Sequence, residues 1–169
     1  MYQMILFCHN ITGGGEYRLM PNSVWSKMTK RDIDQATEEF VKLAANKCCV
    51  YEGEGGDNER EKNERFFRNY IATREWRNSV IESLQPEQCS DVQVNERHDC
   101  GRGGNLMFIY FYEAYLNRRG ESLKTQKHKI LIYIKVELIG NTYDDKRCLV
   151  ISFHEAERAG MPRYSQLPD

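Results

Sequence analysis

Cys89, His98 and Cys100 form the densest group of metal-ligating side chains in the sequence, with Cys148 and His154 available if a sheet brings them near. Thiolate and imidazole together suit zinc. The spacing, one Cys separated by eight residues from a His-x-Cys pair, lacks the Cys-x-x-Cys knuckles of a structural zinc site. Buried thiols, or a Cys89–Cys100 bridge in an oxidising environment, account for the same residues and are the preferred expectation.

Nucleophilic chemistry needs a thiol activated by an imidazole that a third group orients. Cys100 with His154 is the pairing that fits, with Glu155 or Asn105 as orienting groups and Gly101, Gly103 and Gly104 letting backbone amides approach an oxyanion. The residues lie in unrelated segments, and isolated Cys and His residues are more often structural than catalytic. The expectation therefore leans against an enzyme.

Neither glycine cluster, Gly13–Gly15 nor Gly101–Gly104, has the Lys-Ser/Thr of a P-loop or the G-x-G-x-x-G spacing of a dinucleotide site. No cofactor is expected.

Arg118, Arg119, Lys124, Lys127, His128 and Lys129, interrupted among the acids only by Glu121, form a basic connection between two aromatic-rich segments. With Tyr110, Tyr112, Tyr115 and Tyr133 as stacking faces, such a patch suits single-stranded nucleic acid. Lysines that keep a sheet edge from aggregating explain the same pattern. Trp76, Tyr110, Tyr112 and Tyr133 are also candidate anchors for a protein partner or a second copy, because Tyr and Trp dominate interface energetics.

The elements that position these residues follow from periodicity. Thr29 and Asp32 have the spacing of a helix N-cap, and Ile33, Ala36, Phe40, Val41 and Ala44 recur at helical intervals. Residues 52–65 carry charge without a buried face and are expected as a solvated loop or an exposed helical start. Phe66–Leu84 fits one broad helix face ending at Pro86, with a strand over Phe66–Trp76 as the rival.

From there the pattern turns to β. Asp91–Arg97 alternates weakly and Leu106–Tyr115 is a dense aromatic run. Ile130, Ile132, Ile134, Val136 and Leu138 share one face of the clearest strand, which Gly140-Asn141-Thr142 joins to Cys148–His154 as a hairpin. Tyr2–Asn10 reads as a strand broken by Gly13–Gly15, and the tail from Gly160 reads as irregular.

Length and charge bound the rest. A chain of 169 residues with 40% hydrophobic and 29% charged side chains is expected to fold as one domain. The formal charge of −1 supplies no whole-molecule field for nucleic acid or an anionic membrane. No apolar run reaches the length of a membrane span. The start at Met1 lacks a basic leader, which tilts the expected location toward the cell interior, while six cysteines leave the compartment open.

The order of a glycine cluster (Gly13–Gly15), a helix (Asp32–Lys47) and antiparallel strands resembles the cystatin superfamily, whose members wrap a sheet around one helix. Pro86-Glu87-Gln88-Cys89 followed by Cys100 is similar to a stretch in cathelicidin propieces, which share that fold. The resemblance implies a cystatin-like arrangement and, as one alternative, protease inhibition. The Gln-x-Val-x-Gly and Pro-Trp wedges that cystatins insert into proteases are missing, and Tyr51–Leu84 is long for the family.

The expectation is an α+β domain with two helices on one face of a curved, mostly antiparallel sheet. Its expected role is non-enzymatic binding of another protein or a second copy. The alternatives are single-stranded nucleic-acid binding, a Cys–His hydrolase, or cystatin-like inhibition.

Overall fold

The computed structural model describes residues 22–51, 57–97, 101–142, 144–158 and 163–169. Its framework is a five-stranded mixed sheet with three helices. In chain order these are α1 (Lys30–Ala45), β1 (Cys49–Tyr51), α2 (Asp57–Asn69), α3 (Arg74–Glu82), β2 (Cys89–Val94), β3 (Leu106–Leu116), β4 (His128–Ile139) and β5 (Arg147–Glu155). The sheet order is β1-β5-β4-β3-β2. β1 runs parallel to β5, and every other pair is antiparallel.

The start of α1 is the capping box its sequence announces. The Asp32 backbone N–H donates to Thr29 Oγ1 at 3.2 Å, and the Thr29 N–H donates to Asp32 Oδ2 at 2.9 Å. The helix stops in a Schellman turn, with Cys48 N–H bonded to Leu43 O and Lys47 N–H to Ala44 O. Lys47 takes the left-handed position at φ 59°, where glycine is the usual residue. Between the caps, Ile33, Ala36, Phe40, Leu43 and Ala44 are buried against the sheet.

The fold decides two expectations that the sequence left open. Residues 57–65, read as a loop or an exposed helical start, are the first turns of α2, supported by an Arg60–Glu64 ion pair one turn apart. Phe66–Leu84, read as one helix, is two. Tyr70 pairs with Arg118 as an isolated β-bridge, and Ile71 N–H bonds to Asn117 O. Thr73 Oγ1 then accepts from Trp76 N–H at 3.1 Å and caps α3. A single β-bridge interrupts the helical run, and the rival strand over Phe66–Trp76 is absent because Phe66–Asn69 and Arg74–Trp76 are helical. The count of helices on the sheet is three rather than two.

The alternating Ile130, Ile132, Ile134 and Val136 of β4 face the helices, with Phe108, Tyr110 and Ala114 of β3 and Cys148, Val150 and Phe153 of β5. Phe40 of α1 meets Phe108 edge-on at 5.5 Å, and Phe66 of α2 and Trp76 of α3 each sit 5.9 Å from the Phe153 ring. In the β4–β5 turn Gly140 has φ 97°, and a Cβ there would stand 2.5 Å from Asp145 O, so only glycine fits. The described part of the tail is docked: Lys30 N–H bonds to Pro168 O, Leu167 is buried, and Arg163 pairs with Asp91 at 3.2 Å.

The sheet edges are closed by three different devices. Asn22–Val24 lies along β2, through Val24 N–H to Val92 O and Val94 N–H to Asn22 O. Arg74 Nη2 donates to Cys49 O on β1 at 3.2 Å. Beyond the short β1, Asn63 of α2 bonds the open edge of β5: its Nδ2 donates to Ile151 O at 3.1 Å and its Oδ1 accepts from Phe153 N–H at 2.9 Å. One side-chain amide thus does the work of a paired strand.

Asn63→Ala leaves two buried backbone groups unpaired and should destabilise the fold by about 2–4 kcal/mol. Chemical denaturation of the pure protein measures it, and a change under 0.5 kcal/mol rejects the edge-closing role.

Candidate functional site

The basic segment Arg118–Lys129 joins β3 to β4 at the end of the sheet where α2 finishes. Much of its charge is committed there. Arg119 donates from its Nε to Phe67 O at 2.6 Å and from its N–H to Asn69 O at 2.8 Å. These bonds satisfy orphan carbonyls at the negative end of α2. Glu121 accepts from Arg118 N–H at 2.9 Å and meets His128 Nε2 at 2.8 Å. The His128 contact is the main reason its carboxyl titrates below the usual range. Lys129 pairs with Glu113 at 2.7 Å, which raises the ammonium above its ordinary value.

Lys124 and Lys127 are exposed and, among the described residues, take part in no ion pair. The loop carrying them is held in shape by Asn117 Nδ2 bonding to Thr125 O at 3.2 Å and Thr125 N–H to Ser122 O at 2.9 Å. At its tip Leu123 is 79% exposed. Tyr115 and Ile71, whose neighbours on the chain anchor the same end, are 54% and 37% exposed. Ile71 falls within the expected apolar helix face of Phe66–Leu84, and Leu123 stands unmarked in the basic connection. The available signal was a lone large apolar residue inside Glu121-Ser122-Leu123-Lys124-Thr125.

The aromatic candidates lie elsewhere. Tyr110 is fully buried, its hydroxyl 2.7 Å from Thr37 Oγ1, and burial pushes the phenol well above its usual pKa. Tyr112 is half-buried and accepts from Ser83 Oγ at 3.1 Å. Trp76 is half-buried against Phe153. Tyr133 is buried on the opposite face of the sheet, edge-on to Phe111 at 5.6 Å and stacked on His154 at 5.1 Å. These rings serve internal packing, and Tyr110 offers no surface to a partner.

A cleft of ≈180 Å³ opens between α2 and the end of β5, lined by Lys62, Arg65, Phe66, Asn69, His154 and Glu155 among others. His154 Nδ1 meets the Glu155 backbone carbonyl at 2.9 Å; since a carbonyl only accepts, that nitrogen carries a proton. Neither group expected to orient His154 does so through its side chain. The Glu155 carboxylate accepts from Tyr70 OH at 2.9 Å, and Asn105 donates to Glu137. His98 and Cys100 lie outside the described residues, as do Tyr2–Asn10 and Gly13–Gly15. Cys89 is buried beside Tyr110, and burial pushes its thiol up to about 12, far from a metal-ready thiolate. Among the described residues no three His, Cys, Asp or Glu side chains converge as metal ligands. No helix of the described residues is long and apolar enough to cross a membrane.

Glu137 of β4 is a polar centre that the periodicity does not announce. It is wholly buried on the sheet face opposite the helices, accepting from Asn95 Nδ2 and Asn105 Nδ2, each at 2.7 Å, with Arg102 Nη1 at 3.9 Å. The two asparagines flank the β2–β3 connection, and Asn95 N–H also bonds to Asn105 O. The arrangement pins that hairpin to the middle of the sheet.

The chain matches no protein-family model, no curated protein and no solved structure.

Glu137→Ala strips two buried amide donors and a guanidinium of their acceptor and should cost about 3–5 kcal/mol of stability. Glu137→Gln keeps one acceptor oxygen but turns an amide donor toward another, and should cost less, about 1–3 kcal/mol. Denaturant titration of both variants checks the order, and equal losses reject the assignment.

Proposed function

We propose that this protein is a non-enzymatic interaction module that docks an acidic, partly apolar segment of another protein on the end of the sheet formed by the 117–127 loop. The single observation behind this reading is that Leu123, Lys124 and Lys127 stand exposed on one short loop, at the end of the sheet where Tyr115 and Ile71 are also exposed. Exposed large apolar side chains beside unpaired cations suit a ligand that offers both carboxylates and apolar anchors. The loop is already held by its own hydrogen bonds, so docking orders little new chain.

Strand addition asks for an open edge, and the described edges are occupied by Asn22–Val24, Arg74 and Asn63. Single-stranded nucleic acid, the alternative for the same lysines, needs stacking faces as well as charge. Tyr115 alone among the tyrosine candidates is largely exposed, and Leu123 and Ile71 present no π face, so the protein ligand is favoured.

The test is selection from a random-peptide display library on the immobilised protein. Enriched ligands should combine Asp or Glu with apolar residues. Leu123→Asp, and separately Lys124→Glu with Lys127→Glu, should weaken those peptides tenfold or more without altering the circular dichroism spectrum. Salt-sensitive retention of single-stranded RNA with no peptide enrichment transfers the site to nucleic acid. A dimer on size-exclusion chromatography that Leu123→Asp dissolves assigns the surface to a second copy.

A further inference from the structure

We infer that Cys49 and Cys148 are a disulfide-forming pair, a reversible modification site for hydroperoxides that staples the edge strand β1 to β5. The two residues are register partners on adjacent parallel strands, and both side chains enter the helix-covered core, 2% and 0% exposed. Neighbouring strands lie about 4.8 Å apart, inside the roughly 4.4–6.8 Å between Cα atoms that a disulfide spans. The backbone already fixes their approach, since Cys148 N–H bonds to Cys48 O at 3.1 Å. Both are free thiols in this structure.

The pair is also electronically divided. The Cys148 thiol hydrogen-bonds Cys49 and holds the Cys49 thiol below its ordinary pKa, with a smaller contribution from the Arg74 guanidinium, while that same bond and burial push Cys148 up. Cys49, on the short edge strand that opens more readily than β5, is the attacking sulfur and Cys148 the resolving one. Cys49 thiolate attacks one peroxide oxygen, the O–O bond breaks, and the departing hydroxide takes a proton to leave as water. The Cys49 sulfenic acid then loses its hydroxyl as a second water when the Cys148 sulfur bonds to it and gives up its proton. The peroxide is reduced by two electrons and the thiol pair oxidised by two. Access comes through β1, which has three residues, is paired on one side only and is preceded by the half-exposed Cys48; local opening of so short an edge is easier than global unfolding.

The staple bears on more than β1. Tyr51 at its end stacks on Arg77 of α3 at 4.1 Å, and the same guanidinium lies 4.6 Å from Phe67 of α2, so oxidation fixes the strand to which both helices are tied. Nothing in this pair depends on the 117–127 surface.

The full chain is treated with a slight excess of hydrogen peroxide, its remaining thiols are alkylated, and it is digested without reduction for mass spectrometry. The expected product joins the peptides carrying Cys49 and Cys148, appears with a raised melting midpoint, and is undone by dithiothreitol. Cys48 and Cys49 share one tryptic peptide, so the cross-link must survive in Cys48→Ser and vanish in Cys148→Ser. The Cys48→Ser map stands on its own if the Cys148 variant fails to fold. A link lost in Cys48→Ser, a link from Cys148 to any other cysteine, or recovery of Cys49 and Cys148 unlinked overturns the proposal.

Discussion

The fold depends on β4 being paired along both sides while its two faces do different work. Ile130, Ile132, Ile134 and Val136 point into the helix-covered core, and fully burying an aliphatic side chain of this size contributes about 1.5–3 kcal/mol. The other face includes Glu137, wholly buried, whose carboxyl oxygens exchange water for the amides of Asn95 and Asn105. The aliphatic row drives collapse of the sheet onto α1, α2 and α3. Glu137, satisfied only when Asn95 and Asn105 arrive together, selects one register for the β2–β3 hairpin over its slipped alternatives.

Register matters because the ladders are not regular. Between Cys89 and Asp91, and again between Lys135 and Val136, the pairing shifts by a residue, which restores the correct face further along each strand. Phe153 reaches the core opposite Ile134 only because of the second shift, and Phe66 and Trp76 pack on Phe153. The positions of α2 and α3 therefore rest on a local irregularity in β5. Asn63 works at the same place, bonding Ile151 and Phe153 from α2, so helix placement and edge closure reinforce one another.

What was legible in the sequence was local. The Thr29–Asp32 cap, the alternation of β4 and the Gly140 turn each lie within a few residues, and the helices, strands and hairpin they predict are present. What was illegible depends on partners far along the chain. β1 has three residues and finds β5 a hundred positions away, too short for any periodic signal. The α2–α3 break is imposed by pairing of Tyr70 with Arg118, while apolar spacing continues through it. Aromatic content marked β3 as a strand, but alternation cannot say which face a helix will cover, so Tyr110 reads alike as an anchor or as core.

Charge was the hardest property to read, because the sequence counts ions without showing which are engaged. Arg119 ends on the carbonyls of α2, Lys129 on Glu113 and His128 on Glu121, so the dense basic run of 118–129 presents mainly Lys124 and Lys127 as unpaired cations. Two lysines on a chain of net charge −1 act over about 8–10 Å in physiological salt. That range orients a ligand already at the surface but does not gather one from solution. In the proposed docking, affinity would come from covering exposed apolar side chains such as Leu123, with charge setting specificity. The proposed ligand is accordingly acidic and partly apolar, rather than a polyanion held by its backbone alone.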